Sequence, residues 1–301
     1  MTIVSHVDQP VRQYDWITLS SLVLPATLLL FSFLLVPTAV VLVLSFTDYE
    51  LGLGSVDFVG LSNYAEMAAD RTFWQSVRNT ALYVAIVVPG SIFIALGVAL
   101  LIERRRRLTR FYKVAYFLPV TATLVAMATV WEFILHPTIG LANHILAVIG
   151  VDPVRFLSDP HWAIVSLAVI GVWQSVGFNM VLFLAGLSAI PREIDEAAAL
   201  DGAAGGLDRF LIVTWPLLGP TTLFVTLTSA INALRAFESV AVITQGGPDK
   251  STEVILYSIY LEAFQYFRTG YASALTIVFL TVTVSLILLQ MRLSDRKVHY
   301  A

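Results

Sequence analysis

The stretch Ala189-Ile190-Pro191-Arg192-Glu193-Ile194-Asp195-Glu196-Ala197-Ala198-Ala199-Leu200-Asp201-Gly202-Ala203, continued by Thr214-Trp215-Pro216-Leu217-Leu218-Gly219-Pro220, decides the fold, because it is a polar interruption between two long apolar runs. Pro191 suits the first turn of a helix, where its missing N–H is no loss. Glu193, Asp195 and Glu196 place negative charge near that helix N-terminus, which the macrodipole favours. Ala197 to Leu200 are strong helix formers with small side chains. Asp201-Gly202 ends the helix with a residue free to take positive φ. Arg209 to Trp215 predicts a second helical stretch, and Pro216 leads into the next apolar run. The product is a short helix, a sharp turn and a short helix at a membrane surface. Its alanine-rich face suits insertion into a partner's groove. On these residues alone, an ordinary amphipathic interfacial helix is an equally good reading.

The runs on either side, roughly Trp162 to Leu187 and Leu217 to Ile243, are each long enough to span a bilayer, which takes about 20 mainly apolar residues. Four more stretches qualify: roughly Ile17 to Phe46, Val77 to Ile102, Val114 to Leu135 and Tyr271 to Met291. The composition agrees, with 57% apolar and 13% charged residues among 301 and a mean hydropathy of +0.80. A soluble chain carries about twice that share of charge. Cysteine is absent, which rules out disulfides and thiolate metal sites. The five histidines, His6, His136, His144, His161 and His299, show no ligand-like spacing. The N-terminal apolar run is far longer than a signal-peptide core and reads as a retained span.

Basic residues set the expected orientation. Arg104, Arg105, Arg106, Arg107, Arg110 and Lys113 follow the second run, and Arg192 and Arg209 follow the fourth. Arg292, Arg296 and Lys297 close the chain. The positive-inside bias places these residues and both termini in the cytoplasm. An arginine run wedged between two spans reads as a membrane anchor, and nucleic-acid binding is not expected. The domain expectation is one membrane domain over residues 17–292, with a cytoplasmic segment at 1–16, a cytoplasmic loop at 189–216 and a cytoplasmic tail at 293–301. On the outer side, Thr252 to Phe267 reads as an amphipathic helix lying along the membrane face.

Glu196-Ala-Ala-Ala-Leu-Asp201-Gly202-Ala203, with Pro216 downstream, resembles the EAA motif of binding-protein-dependent ABC importer permeases. Thr244-Gln245-Gly246-Gly247-Pro248 with Ser251-Thr252-Glu253-Val254 resembles the outer loop after the penultimate span of the sugar-type members. Phe58-Val59-Gly60-Leu61-Ser62-Asn63-Tyr64 resembles their first outer loop. The likeness covers nearly the whole chain and is nearest to the maltose F-type and glycerol-3-phosphate A-type permeases. It implies an all-α integral membrane protein with the six-helix type I ABC importer (MetI-like) permease fold, in a bacterial or archaeal cytoplasmic membrane. The implied partners are a second permease subunit, two ATP-binding subunits and an extracytoplasmic solute-binding protein. The chain has no phosphate-binding loop of its own. ATP and magnesium are therefore expected on the partner ATPase, with no cofactor on this chain. The resemblance makes Glu196 the residue that pairs with a basic group of the ATPase and Gly202 the turn. Ala197, Ala198, Asp201, Ala203, Arg209 and Pro216 complete the coupling set.

Polar residues inside spans are costly and so are candidates for a solute pathway. The fourth run offers Trp173, Gln174, Ser175, Phe178 and Asn179, and the fifth offers Asn232, Arg235 and Glu238. Asn232, Arg235 and Ser239 are three or four residues apart and share one face of a continuous helix, with Glu238 close to that stripe. Amides and hydroxyls with an aromatic ring suit a sugar. The family resemblance points to the positions of Gln174, Ser175, Phe178 and Asn232 as its sugar pocket. Ser175 and Phe178 replace a glycine and a tyrosine of the maltose protein, which leaves the sugar open. Ser229 and Thr123 read instead as interhelical hydrogen-bonding groups. Arg235 would suit glycerol 3-phosphate or a glycerophosphodiester, or would pair structurally with Glu238. The rival class is an ion-coupled secondary transporter, which often shows internal repeats and midplane charges. No repeat is visible here.

Overall fold

A computed structural model describes residues 16–52, 54–104, 109–191, 193, 194, 197 and 206–295. The coupling residues Glu196, Ala198, Asp201, Gly202 and Ala203 lie outside the described residues, as do Arg105, Arg106, Arg107 and both chain ends. The described residues form helices joined by short loops, with one isolated antiparallel bridge between Thr47 and Phe58. Four helices are long and apolar enough to cross a membrane: Val23–Leu44, Arg71–Glu103, Pro160–Ser188 and Thr269–Arg292. Two bent pairs qualify if each is one span: Arg110–Thr121 with Val125–Ile134, bent by 103°, and Gly206–Leu217 with Gly219–Leu234, bent by 70°.

In chain order the elements are α1 (Trp16–Leu30), α2 (Val36–Leu44), α3 (Ser62–Ala69), α4 (Arg71–Arg104), α5 (Thr109–Thr121), α6 (Leu124–Ile134), α7 (Leu141–Val148) and α8 (Pro160–Ser188). They continue with α9 (Gly206–Leu217), α10 (Gly219–Leu234), α11 (Ile255–Tyr260) and α12 (Thr269–Asp295). Local chemistry explains several boundaries. Asp159 caps α8, its carboxylate accepting from the His161 N–H at 2.9 Å, and Pro160 takes the first turn. Two π turns, Phe31–Leu35 and Phe210–Thr214, each end two residues before a proline, Pro37 and Pro216. A proline ring clashes with the carbonyl four residues back, which lies inside the π turn in both cases. The wider turn absorbs that clash.

The core is built on α8. Phe183, Met180, Ile170 and Leu167 are fully buried there. Leu96 and Ala99 of α4 and Leu218 and Val225 beside and in α10 pack into the same apolar cluster as Met180 and Phe183. At Gly177 an added Cβ would run into the Tyr116 carbonyl oxygen of α5. The two backbones cross there without room for any side chain. The helix Val23–Leu44 is different, because none of it is buried, and it packs through α2 against α12. Phe31, Phe33 and Leu34 stand exposed along it. At about 25 cal/mol per Å² of apolar surface, such a helix requires lipid or another chain around it.

Three expected elements differ. The continuous span Val114 to Leu135 is broken at Ala122 and Thr123 between α5 and α6. Pro119 weakens the end of α5, and the Thr121 hydroxyl donates back to the Leu118 carbonyl at 2.8 Å. The run Leu217 to Ile243 is helical only to Leu234, then breaks and resumes in a π turn over Val240–Thr244. The outer helix expected over Thr252 to Phe267 is reduced to α11 and a π turn, Leu261–Gln265. Its first residues are used otherwise. The Thr252 hydroxyl bonds the Gly247 carbonyl at 2.7 Å, and the Asn79 amide reaches the Lys250 and Glu253 carbonyls, each at 2.9 Å.

Candidate functional site: a cavity at the break after α10

The break is the feature that builds the site. The last helical turn of α10 carries Asn232, and its C-cap is Arg235, with φ −87° and ψ 19°. A cation suits that position, where the helix presents unsatisfied carbonyls. The chain then runs through Ala236 and Phe237 before Glu238 and Ser239. Asn232, Arg235 and Glu238 do converge, but not as a stripe on one continuous helix. The non-helical residues turn them toward α8 together.

Opposite the break, Gly171, Gln174, Ser175, Phe178 and Asn179 of α8 line the same space, and Tyr83 of α4 closes it. The cavity is about 580 Å³. Gly171 makes room for Tyr83, since a Cβ there would collide with the tyrosine hydroxyl. The Tyr83 ring packs in one apolar cluster with Ala233 and Val240, which ties α4 to both sides of the break.

The polar lining falls into two groups. Asn179 is 2% exposed, and its amide donates to the Ser91 hydroxyl at 3.1 Å and the Ser229 hydroxyl at 2.9 Å. Ser229 donates back to the Asn179 carbonyl oxygen at 3.2 Å. Asn179 thus joins α4, α8 and α10. Ser175 donates to the Gly171 carbonyl at 2.8 Å. The side chains of Gln174, Asn232, Arg235 and Glu238 have no hydrogen-bond or ion-pair partner among the described residues, and the last three are exposed to the cavity. In particular, Arg235 and Glu238 do not pair with each other. Phe178, 40% exposed, presents a ring beside them.

Trp173 is not part of the lining. It packs edge-on against Trp131, with ring centroids 5.3 Å apart. One residue is a rotation of about 100° on a helix, which turns Trp173 away from the face shared by Gln174 and Phe178. Tyr83, Phe237 and Leu256 line the cavity without having been singled out in the sequence, and Ser239, read there on the stripe of Asn232 and Arg235, joins them. Tyr83 had a signal, a hydroxyl-bearing ring inside an apolar run. Phe237 had none, because its place depends on where α10 stops. Of the coupling set, Ala197, Arg209 and Pro216 are described, Arg209 in α9 and Pro216 at the bend before α10.

A helical bundle with spans long enough for a bilayer, around a polar cavity at a broken helix, defines a membrane permease. The chain matches the family described as binding-protein-dependent transport system inner membrane component over residues 91–299. It belongs to that family and is a permease subunit of an ABC importer. The sulfoquinovosyl glycerol transport permease SmoG of Agrobacterium fabrum is 30% identical over 92% of this chain and 90% of its own length. The sn-glycerol-3-phosphate permease UgpA of the same organism is 31% identical over 83% and 84%. A bacterial ABC transporter involved in import of the acidic polysaccharide alginate has a chain of the same fold, with a TM-score of 0.81, 23% identity and coverage of 94% and 96%.

Proposed function

We propose that this chain forms half of the translocation pathway for a sugar delivered by an extracytoplasmic binding protein, with the cavity after α10 as the solute's station. The observation that carries the reading is the set of four polar side chains, Gln174, Asn232, Arg235 and Glu238, that face one cavity beside Phe178 with no side-chain partner among the described residues. Polar groups within membrane spans normally bond to each other. Groups left unspent beside an aromatic ring match the hydroxyls and apolar face of a sugar. The membrane domain covers residues 17–292 and crosses six times, each bent pair counting as one span, with both termini in the cytoplasm. A second permease completes the pathway. Two ATPase subunits hold ATP and magnesium and engage the loop 189–216, with Glu196 as its ion-pairing residue.

Asn232→Ala tests the station in cells carrying the complete importer. Labelled-solute uptake is expected to fall about five- to thirtyfold, the equivalent of one lost polar contact, with membrane abundance unchanged. Uptake at the unaltered rate would remove the cavity from the pathway. Glu196→Arg tests coupling, with inserted protein but no solute-stimulated ATPase expected. Normal stimulation in that variant would refute the coupling role.

A second reading has its own observation. Arg235 is a cation with no side-chain partner among the described residues, as an anionic solute such as glycerol 3-phosphate or a glycerophosphodiester would require. The relative UgpA is named for sn-glycerol-3-phosphate.

A further inference from the structure

A second pocket, about 620 Å³, adjoins the cavity and shares Phe237 as a wall. Its other walls include Gln245, Tyr257, Tyr260, Gln265 and Tyr266. The rings form a ladder. Phe237 meets Tyr260 edge-on at 5.3 Å, Tyr260 stacks on Tyr257 at 6.0 Å, and Phe264 follows Tyr260 at 5.8 Å. Burial does not account for all of it, because Phe264 is 62% and Tyr266 57% exposed. Two amides stand at the ladder's side. Gln265 donates to the Tyr260 hydroxyl at 3.2 Å and keeps its carbonyl oxygen free, while the exposed Gln245 side chain has no partner among the described residues.

The backbone gives an independent pointer. Two of the four π turns among the described residues precede prolines, as described above. The other two, Val240–Thr244 and Leu261–Gln265, have no such proline, and both supply walls of this pocket through Ala241, Leu261 and Gln265. Unforced π turns concentrate at functional sites.

We propose that this aromatic pocket is a second saccharide station, continuous with the cavity through Phe237. The transported solute would then span more than one ring, as an oligosaccharide or an aryl-sized glycoside does. Aromatic faces cover the C–H side of a pyranose, and the two glutamines meet its hydroxyls. This inference rests on the reading of the cavity as the sugar station.

Saturation-transfer NMR on the full-length chain in lipid nanodiscs tests it, with maltotriose and methyl α-glucoside as probes. Tyr260→Ala and Tyr266→Ala are expected to lower the maltotriose response about two- to tenfold, the range of one lost aromatic contact, and to spare the glucoside. Tyr260→Phe, which keeps the ring, is expected to retain the response, and separates a lost platform from a lost fold. Asn232→Ala is expected to lower both responses. Full maltotriose response in the two alanine variants, with loss in Asn232→Ala, would overturn the second station and leave the cavity standing. Full response in all three, or none from the unaltered chain, would overturn both.

Discussion

Asn179 and Asn232 are the same residue type on neighbouring helices around one cavity, yet they have opposite surroundings. Asn179 is sealed, with both ends of its amide spent on Ser91 and Ser229 across three helices. Asn232 is exposed at the last turn of α10, and its side chain has no partner among the described residues. The arginines repeat the contrast. Arg268 lies between Glu66 and Glu262, 4.6 Å from the Tyr271 ring centroid, whereas Arg235 faces the cavity with no ion-pair partner among the described residues. A polar residue in a membrane helix therefore declares its role by whether its bonds are spent. Spent groups hold helices together, and unspent groups wait for something that is not part of the chain.

The sharpest way to break this contrast is to exchange stability for transport at the two asparagines. Asn179→Leu strips the buried Ser229 hydroxyl of both its bonds to Asn179, while Ser91 keeps its bond to the Val88 carbonyl at 3.2 Å. It is expected to cost about 1–3 kcal/mol, read as a lower thermal midpoint in detergent. Adding Ser229→Ala, which removes the stranded hydroxyl, should return part of that loss. Asn232→Leu is expected to leave the midpoint within about 0.5 kcal/mol of the parent, as for an exposed position outside the core. If both variants lower the midpoint equally, the distinction between spent and unspent fails.

A smaller effect separates the arginines. Arg235→Ala should reduce uptake of an anionic solute more than that of a neutral sugar, about tenfold if one charge-assisted hydrogen bond is lost. Equal loss for glycerol 3-phosphate and a neutral sugar would show that Arg235 shapes the cavity without reading charge.

Which residues approach the cavity was largely legible in the sequence, because a polar side chain in an apolar run is visible as a break in pattern. Gln174, Ser175, Phe178, Asn179, Asn232, Arg235 and Glu238 all reach the lining. Whether each group is spent was not legible, since the partners of Asn179 lie 50 and 88 residues away in the chain. Nor was the break after Leu234. Periodicity continues through Asn232, Arg235 and Ser239 as if the helix did, and the residues around the break, Ala233, Ala236, Phe237 and Val240, pack in one apolar cluster with the distant Tyr83. Prolines announced the π turns before Pro37 and Pro216 as places of weakness. Nothing announced the two π turns beside the aromatic pocket, because their cause lies in packing.

The smallest expected effect concerns the spent arginine. Burial pushes the Glu262 carboxyl above its ordinary range, and Arg268 opposes that rise, while Asp70, Glu66 and Glu253 reinforce it. A carboxyl whose pKa is raised on folding binds more protons in the folded state. Its contribution to stability is fully present below the ordinary carboxylate pKa and is lost as pH rises through the raised value. Glu262→Gln should therefore flatten the fall in thermal midpoint across that window and be slightly more stable than the parent at neutral pH, by less than about 1 kcal/mol for a partly solvated group. Arg268→Ala removes the opposing charge, so the same window should extend to higher pH. Melting curves across mildly acidic to neutral pH read both shifts. A midpoint in Arg268→Ala that falls over the parent's own window would mean that Arg268 is as unspent as Arg235, and the contrast between the two would collapse.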